Sequence, residues 1–537
     1  MDRRVSGLTP PTTSQSGGAT LDEHHDPGDS SPQARQGVIG KALSRLDSVG
    51  LVAACVLFTV ALRLPYLTRP LLPDEAGLLI IAQNWSEGPF LYGDYFIGRG
   101  IVLMLIFVLG DALGGAVGIR LLACVIAALM VIAAGWAGHQ LRGRAGAGWA
   151  ALVAAAYSST YALSAEGLNE RLVAATFVMG SCALTLAAVR HPRSVVRAVL
   201  AGVLAALPLL VVQSYADALL FAPVVLFVAW RQRSLSGSDA ARIFLGGLVG
   251  MLLTAAGVAI GLWATWMTAS QMWFQTVGYR VAASRAVGEG TERPGQRLVM
   301  LLILAALMGV LILLASAITG SREVRGRPDL RPVWWATMAM FVLAILSMMA
   351  GGDWWHDYLL QPIPGLAMAA ALVAPSLSWS GIAMRTGAVV ATVAAVVSTF
   401  LGLQEAPILG TPNNEAAVGR WVAAGAESDD TALVLWGRAN VLYSAEMLSP
   451  YPYMWSLLTR TLDKDLDLLL TTMRGPDAPT WVVRWHDVNS WELDSDGDLA
   501  ELLEERYVAV GTPCGIEVFL LRTERRDVPP SDRTDPC

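Results

Sequence analysis

The sequence predicts an α-helical, polytopic membrane protein of about eleven transmembrane helices, with a small α/β domain at its C-terminal end. Three observations carry this. Apolar residues fill 54% of the 537 positions and charged residues only 15%, with a mean hydropathy of +0.50. A soluble chain carries about a quarter charged residues. The apolar residues also fall in blocks of roughly 17–25, the length that crosses about 30 Å of hydrocarbon. After residue 403 the texture changes to short strand-like runs set between amphipathic stretches.

Residues 1–45 open on Ser, Gly, Pro and Asp without apolar periodicity and read as a disordered cytoplasmic tail. No signal peptide precedes the first apolar block, so 51–67 is expected to be a retained helix. Arg35, Lys41 and Arg45 lie just before it and place the N-terminus in the cytoplasm. Further spans are expected near 117–138, 147–165, 171–189, 196–213, 217–230, 242–266, 298–318, 332–350, 358–378 and 385–403.

The clusters Arg142/Arg144, Arg190/Arg193/Arg197, Arg231/Arg233/Arg242, Arg322/Arg325/Arg327/Arg331 and Arg385 alternate with poorly basic loops. Placing every cluster inside gives one consistent topology. It requires 97–113, interrupted by several glycines, to be a re-entrant or interfacial helix on the outer face. The membrane domain then covers 46–403, and 404–525 forms an extracytoplasmic α/β domain, followed by a disordered tail at 526–537. In that domain Asn413–Gly425 and Asp496–Tyr507 read as helices, and Thr431–Trp436, Thr480–Trp485 and Gly515–Arg522 as strands.

A net charge of -6 and a pI of 5.6 offer no basic surface for nucleic acid. Only Lys41 and Lys464 are lysines while Arg, Ala and Gly abound, the composition of a GC-rich bacterium. Cys55, Cys124 and Cys182 sit in apolar blocks as small hydrophobes; Cys514 and Cys537 lie outside the membrane and are able to pair. No P-loop, nucleotide-sugar motif, zinc-knuckle spacing or nucleophile elbow occurs.

The candidate chemistry gathers in the outer loops. Asp74 and Glu75 follow Pro73 and begin an apolar surface helix at Ala76–Trp85. Acidic residues suit any first helical turn. A carboxylate against apolar surroundings is also a good general base, the reading adopted for Asp74. Glu75, on another side of the helix, would orient an acceptor or bind a divalent cation. Arg99 either snorkels or holds a phosphate. Glu166 and Glu170 form a second acidic group, unless Glu170 simply pairs with Arg171. Arg280, Arg285 and Arg293 stand in a long loop poor in acids, where a lipid phosphate would compensate them, unless they only contact headgroups. His356, between Asp353 and Asp357 at the mouth of a span, suits a metal ligand or proton carrier, or only an interfacial belt.

This order of features resembles the GT-C class of membrane glycosyltransferases, in its protein O-mannosyltransferase and aminoarabinose transferase branch. The resemblance rests on Asp74-Glu75 opening the first outer loop, the Gly88–Asp94 passage with Tyr92, the acidic loop at 166–170, the long loop at 267–297, and His356 with Tyr358 and Pro362. It implies a GT-C-like membrane domain in the cell membrane that moves a sugar from a polyprenyl phosphate to an extracytoplasmic glycan or protein hydroxyl, with inversion. Asp74 would be the catalytic base. Glu75, Glu166, Glu170 and His356 would organise acceptor or metal, and Arg99, Arg280 and Arg285 would bind the donor phosphate. The sequence departs from the family in Gly98-Arg99-Gly100, where a proline pair is common, and in the aspartates beside His356. A flippase for a lipid-linked glycan and a non-catalytic cell-wall assembly protein are the competing readings. The polar residues gather at the outer boundary rather than mid-membrane, which disfavours the former.

Overall fold

The computed structural model describes residues 32–264, 268–289, 294–351, 354–404 and 414–530, with side chains for 47–263, 268–286, 295–351, 354–404 and 414–530. The side chains of Arg35, Lys41 and Arg45, all of Arg293, Asp353 and Cys537, and the tail segments 1–31 and 531–537 lie outside these ranges. The chain divides at Arg45 into a leading unit and a main unit, Leu46–Cys537, which holds the helix bundle and the C-terminal region.

Helix α1 (Pro32–Arg63) starts inside the segment expected to lack structure. Next come α2 (Pro73–Gln83) and α3 (Ile101–Ala112). At 1.5 Å per residue α3 is about 18 Å long. Helix α4 (Ala116–Ser158) is broken at Arg142 and Gly143, where φ is −137° and 59°. A Cβ on Gly138 would stand 2.2 Å from the carbonyl oxygen of Gly146, so the arms before and after the break pack backbone to backbone as a hairpin. These arms are the two spans expected there.

The bundle continues with α5 (Glu170–Arg190), α6 (Val195–Ala206), α7 (Asp217–Arg231) and α8 (Gly237–Ala264). The short α9 (Ala269–Trp273) and α10 (Tyr279–Glu289) follow, then α11 (Pro294–Leu307) and α12 (Val310–Thr319), bent by 70° at their junction. After α13 (Ser321–Arg325) come α14 (Arg331–Gly351), α15 (Ile363–Val373) and α16 (Trp379–Leu403). Among the described residues six helices are long and apolar enough to cross a membrane, or seven if the bent pair is one span.

Burial sorts these helices. On α8, Phe244, Leu245, Leu248, Leu252 and Trp263 are exposed, an apolar face that suits lipid and not water. Every residue of α15 is buried, so this short helix is a core element.

The bundle has two distinct ends. At one, Arg144 pairs with Asp47 at 3.2 Å. At the other, Arg63 donates to the Ser158 carbonyl at 2.5 Å, and the Tyr66 hydroxyl donates to the Thr399 carbonyl at 2.8 Å. Chain direction then puts the turns carrying Arg190–Arg197, Arg231–Arg242, Arg322–Arg331 and Arg385 at the Asp47 end. The loops at 64–100, 159–170, 268–289 and 354–361 all lie at the opposite end.

The C-terminal region is built from α17 (Asn414–Gly425), β1 (Ala432–Val434), α18 (Ala439–Ala445), α19 (Ser456–Leu462), α20 (Asp467–Arg474), β2 (Trp481–Arg484), α21 (Asp498–Arg506), β3 (Tyr507–Gly511) and β4 (Glu517–Leu521). The sheet order is β1-β2-β4-β3. β1 and β2 are parallel, with Leu433 opposite Val482; the other pairs are antiparallel, with a bulge between Ala509 and Gly511. The apolar core is continuous from the bundle into this sheet, through Val418, Trp421 and Trp481. Arg526, placed by the sequence in a loose tail, instead pairs with Asp430 at 2.6 Å and is held against the sheet.

Candidate active site

The first loop is shaped by its own residues. Leu72 is extended (φ −67°, ψ 155°) ahead of Pro73, whose fixed φ and missing N–H suit the first helical position. Asp74 and Glu75 are therefore in the first turn of α2, about 100° apart around its axis. The two adjacent carboxylates end in different surroundings.

Glu75 turns inward and is 2% exposed. One oxygen pairs with Arg120 at 2.9 Å and accepts the Leu72 N–H at 3.1 Å; the other accepts the Leu168 N–H at 2.7 Å. Arg120 also donates to the Pro70 carbonyl at 3.0 Å, and Arg63 donates to the Gly167 carbonyl at 2.7 Å. Glu166 belongs to this group: burial pushes its carboxyl up to about 7, against the pull of Arg120 and Arg63. One Glu166 oxygen is buried with no hydrogen-bond partner. The group joins the loop at 64–72 to the loop at 159–170 and faces away from Asp74.

Asp74 points the other way. Its carboxyl is open to solvent yet densely surrounded by protein, which places it in a recess. Oδ1 accepts a hydrogen bond from the Trp455 indole N–H at 2.8 Å. Desolvation in the recess raises its pKa above the ordinary aspartate value, and the charge of Glu170 adds to the rise; Arg99 and the Trp455 hydrogen bond oppose it.

Beside Asp74 two ion pairs interlock. Arg99 pairs with Glu170 at 2.8 Å, and Arg171 pairs with Asp357 at 3.0 Å. The alternative of a local Glu170–Arg171 pair is not realised. These neighbours diverge because Asn169 caps α5 by accepting the Arg171 N–H at 2.8 Å and sets the first turn so that each side chain meets a different loop. Asn169 also donates to Asp357 at 3.1 Å, and the Arg171 guanidinium lies over the Tyr358 ring at 4.0 Å. Arg99 lies between two glycines: a Cβ on Gly100 would stand 2.0 Å from the Leu210 carbonyl oxygen, so no other residue fits there.

Arg99, Arg171 and Arg280 line one cavity of about 310 Å³, with Gln213, Ser214, Ser347, Tyr358, Gln361 and Leu457 among its other walls. Arg280 donates to the Gly98 carbonyl at 3.1 Å and has no carboxylate partner among the described residues. Two of the three arginines are already matched by Glu170 and Asp357 while Arg280 is not, an arrangement suited to an anion. Arg285 is exposed on α10 and does not line it. A larger cavity, about 440 Å³, lies between Ala286 and the C-terminal region; none of the groups around Asp74 lines it.

His356 is exposed, with its Nε2 3.1 Å from the Ser164 hydroxyl. Among the described residues no three His, Cys, Asp or Glu side chains gather as they would around a metal ion. The fold thus brings together Asp74, Glu170, Arg99 and Arg280 from the expected set, and leaves Glu75, Glu166, Arg285 and His356 apart from the cavity. Sequence reasoning did not single out Trp455 or Arg120. Arg120 lies in an apolar block, where a charged residue is a signal by itself. Trp455 carries no such signal.

No protein-family model matches the chain, and no curated protein matches it. Solved structures do. ArnT from Cupriavidus metallidurans bound to undecaprenyl phosphate superposes with a TM-score of 0.61 at 15% identity, over 88% of this chain and 97% of that one. Its apo state gives 0.62 at 15% identity, over 88% and 98%. The oligosaccharyltransferase of Archaeoglobus fulgidus in complex with Zn and sulfate gives 0.51 at 12% identity, over 88% and 73%. The chain therefore has the GT-C membrane fold.

Proposed function

We propose that this protein is a glycosyltransferase that moves a sugar from a polyprenyl phosphate to an acceptor hydroxyl outside the cytoplasm, with inversion at the anomeric carbon. The observation that carries the reading is the juxtaposition of an accessible carboxylate in a recess, Asp74, with a cavity lined by three arginines at one end of a membrane bundle. The shared fold adds to it, since ArnT in that fold binds undecaprenyl phosphate.

In this mechanism Asp74 takes the proton from the acceptor hydroxyl as its oxygen attacks the anomeric carbon. The bond from that carbon to the phosphate oxygen breaks on the opposite side, and the leaving lipid phosphate keeps the electron pair. Arg280, which no described carboxylate neutralises, meets the growing charge first; Arg99 and Arg171 add field and fix the cavity walls. Glu170 and Asp357 position these two arginines, and Glu75 and Glu166 hold the loop that carries the base. The arginine-rich turns at the far end support a cytoplasmic position for that end and an extracytoplasmic one for the site.

The test uses purified protein with a radiolabelled polyprenyl-phosphate sugar and cell-envelope acceptor. Asp74→Asn is expected to lower transfer at least about 100-fold without loss of folded protein. Transfer at the wild-type rate by this variant, or turnover of a nucleotide sugar alone, contradicts the reading.

A further inference from the structure

Segment 449–460 of the C-terminal region reaches the site beside α18, whose Asn440 donates to the Leu71 carbonyl at 3.3 Å. It is fastened at separate points to the segment before α3 and to α10. The Tyr95 hydroxyl donates to the Ser449 carbonyl at 2.9 Å and accepts the Ser449 N–H at 3.1 Å. The Phe96 N–H donates to the Pro452 carbonyl at 3.2 Å, and Arg460 donates to the Ala286 carbonyl at 2.9 Å. Leu458 packs with Phe96, Tyr279 and Ala283, and Leu457 forms part of the arginine cavity wall.

Between these fastenings Trp455 is extended (φ −130°, ψ 139°) at the start of α19, whose first turn closes on its carbonyl. Its ring lies against α2 one turn beyond Asp74, at Gly77. A Cβ there would stand 2.4 Å from the indole, so the helix has room for the ring only because residue 77 lacks a side chain. From that seat the indole N–H reaches Asp74 Oδ1 at 2.8 Å. An indole N–H is a donor only and cannot compete for the acceptor's proton.

We propose, building on the glycosyltransferase reading, that Trp455 is a positioning residue for the base: the C-terminal region completes the site by holding one oxygen of Asp74 through the indole N–H, which leaves the other oxygen to the incoming hydroxyl. The membrane bundle alone supplies the carboxylate but not this donor. Docking of the C-terminal region and alignment of the base are therefore one event.

Removing the donor leaves the other charged groups around Asp74 in place: Glu170 from α5, Arg99 from the segment before α3, and Asp357 from the turn after α14. A hydrogen bond to a carboxylate favours its ionised form, so its loss makes Asp74 easier to protonate. Dicyclohexylcarbodiimide reacts with protonated carboxyls, and peptide mass spectrometry of the full-length protein in detergent reads its labelling of Asp74 against pH. In Trp455→Phe the labelling midpoint is expected to rise by about one pH unit. Gly77→Ala keeps the indole but pushes it from its seat, and is expected to move the midpoint the same way. In both variants kcat for sugar transfer should fall about tenfold with the donor KM unchanged, and the acid limb of the rate profile should rise with the labelling midpoint. An unmoved midpoint in both variants overturns the proposal, and so does a loss of transfer in Trp455→Phe without a shift. If the midpoint moves as expected but the wild type transfers no sugar from a polyprenyl phosphate, the contact stands and the glycosyltransferase reading falls.

Discussion

Asp74 and Glu75 are neighbours in the chain and differ in every property that matters to their roles. Asp74 is accessible and hydrogen-bonded by one indole; Glu75 is enclosed, with both oxygens used by Arg120 and two backbone amides. Glu75→Gln removes the carboxylate paired with buried Arg120, leaving Glu166 as the acid near it, and is expected to cost about 3–5 kcal/mol, read as a large fall in thermal stability in detergent. Asp74→Asn should leave that stability nearly unchanged. The pH behaviour of the reaction follows from the raised pKa of Asp74. The base works only when ionised, so transfer is lost as pH falls through that raised value. The acid limb of kcat/KM should therefore lie above the usual aspartate value of about 3.9. A limb at or below that value argues against Asp74 as the base.

At the scale of elements, small residues decide how closely helices approach. The hairpin in α4 depends on Gly138 and Gly146, whose backbones touch. Gly138→Leu must force the arms apart and should destabilise the protein by at least about 1–3 kcal/mol, seen as reduced yield and an earlier melting transition in detergent. The hairpin ends at Ser158, whose carbonyl receives Arg63, so its second arm also sets the height of the acidic loop at 159–170. Helix α5 performs a related task. Its Asn169 cap fixes where Glu170 and Arg171 leave the helix, and with them the two ion pairs beside the cavity.

For the whole molecule, the two-ended bundle gives a topology that is testable in cells. Single cysteines introduced at Ser86, in the first site loop, and at Ser495, in the C-terminal region, should react with a membrane-impermeant maleimide added to intact cells. A cysteine at Ser236, in the arginine-rich turn between α7 and α8, should react only after the membrane is opened. The reverse pattern would put the site in the cytoplasm and remove the basis for a lipid-carried donor. The C-terminal sheet also shares one apolar core with the bundle and is not a body on a linker.

Hydropathy by itself determined the membrane class and the position of most of the long apolar helices. Those properties follow from a run of side chains meeting lipid, and a run is local in the chain. The strands at 432–434, 481–484 and 517–521 were legible as short apolar runs, also local in the chain, while β3 at 507–511 was not, because its middle residues are exposed and it continues directly from α21. What only the tertiary structure decided is the partner of each charge. Asp74 with Trp455, Glu75 with Arg120, Arg99 with Glu170 and Arg171 with Asp357 join residues far apart in sequence. A short polar side chain reaches only a few ångströms, so the packing of whole helices and loops determines which groups come within that reach.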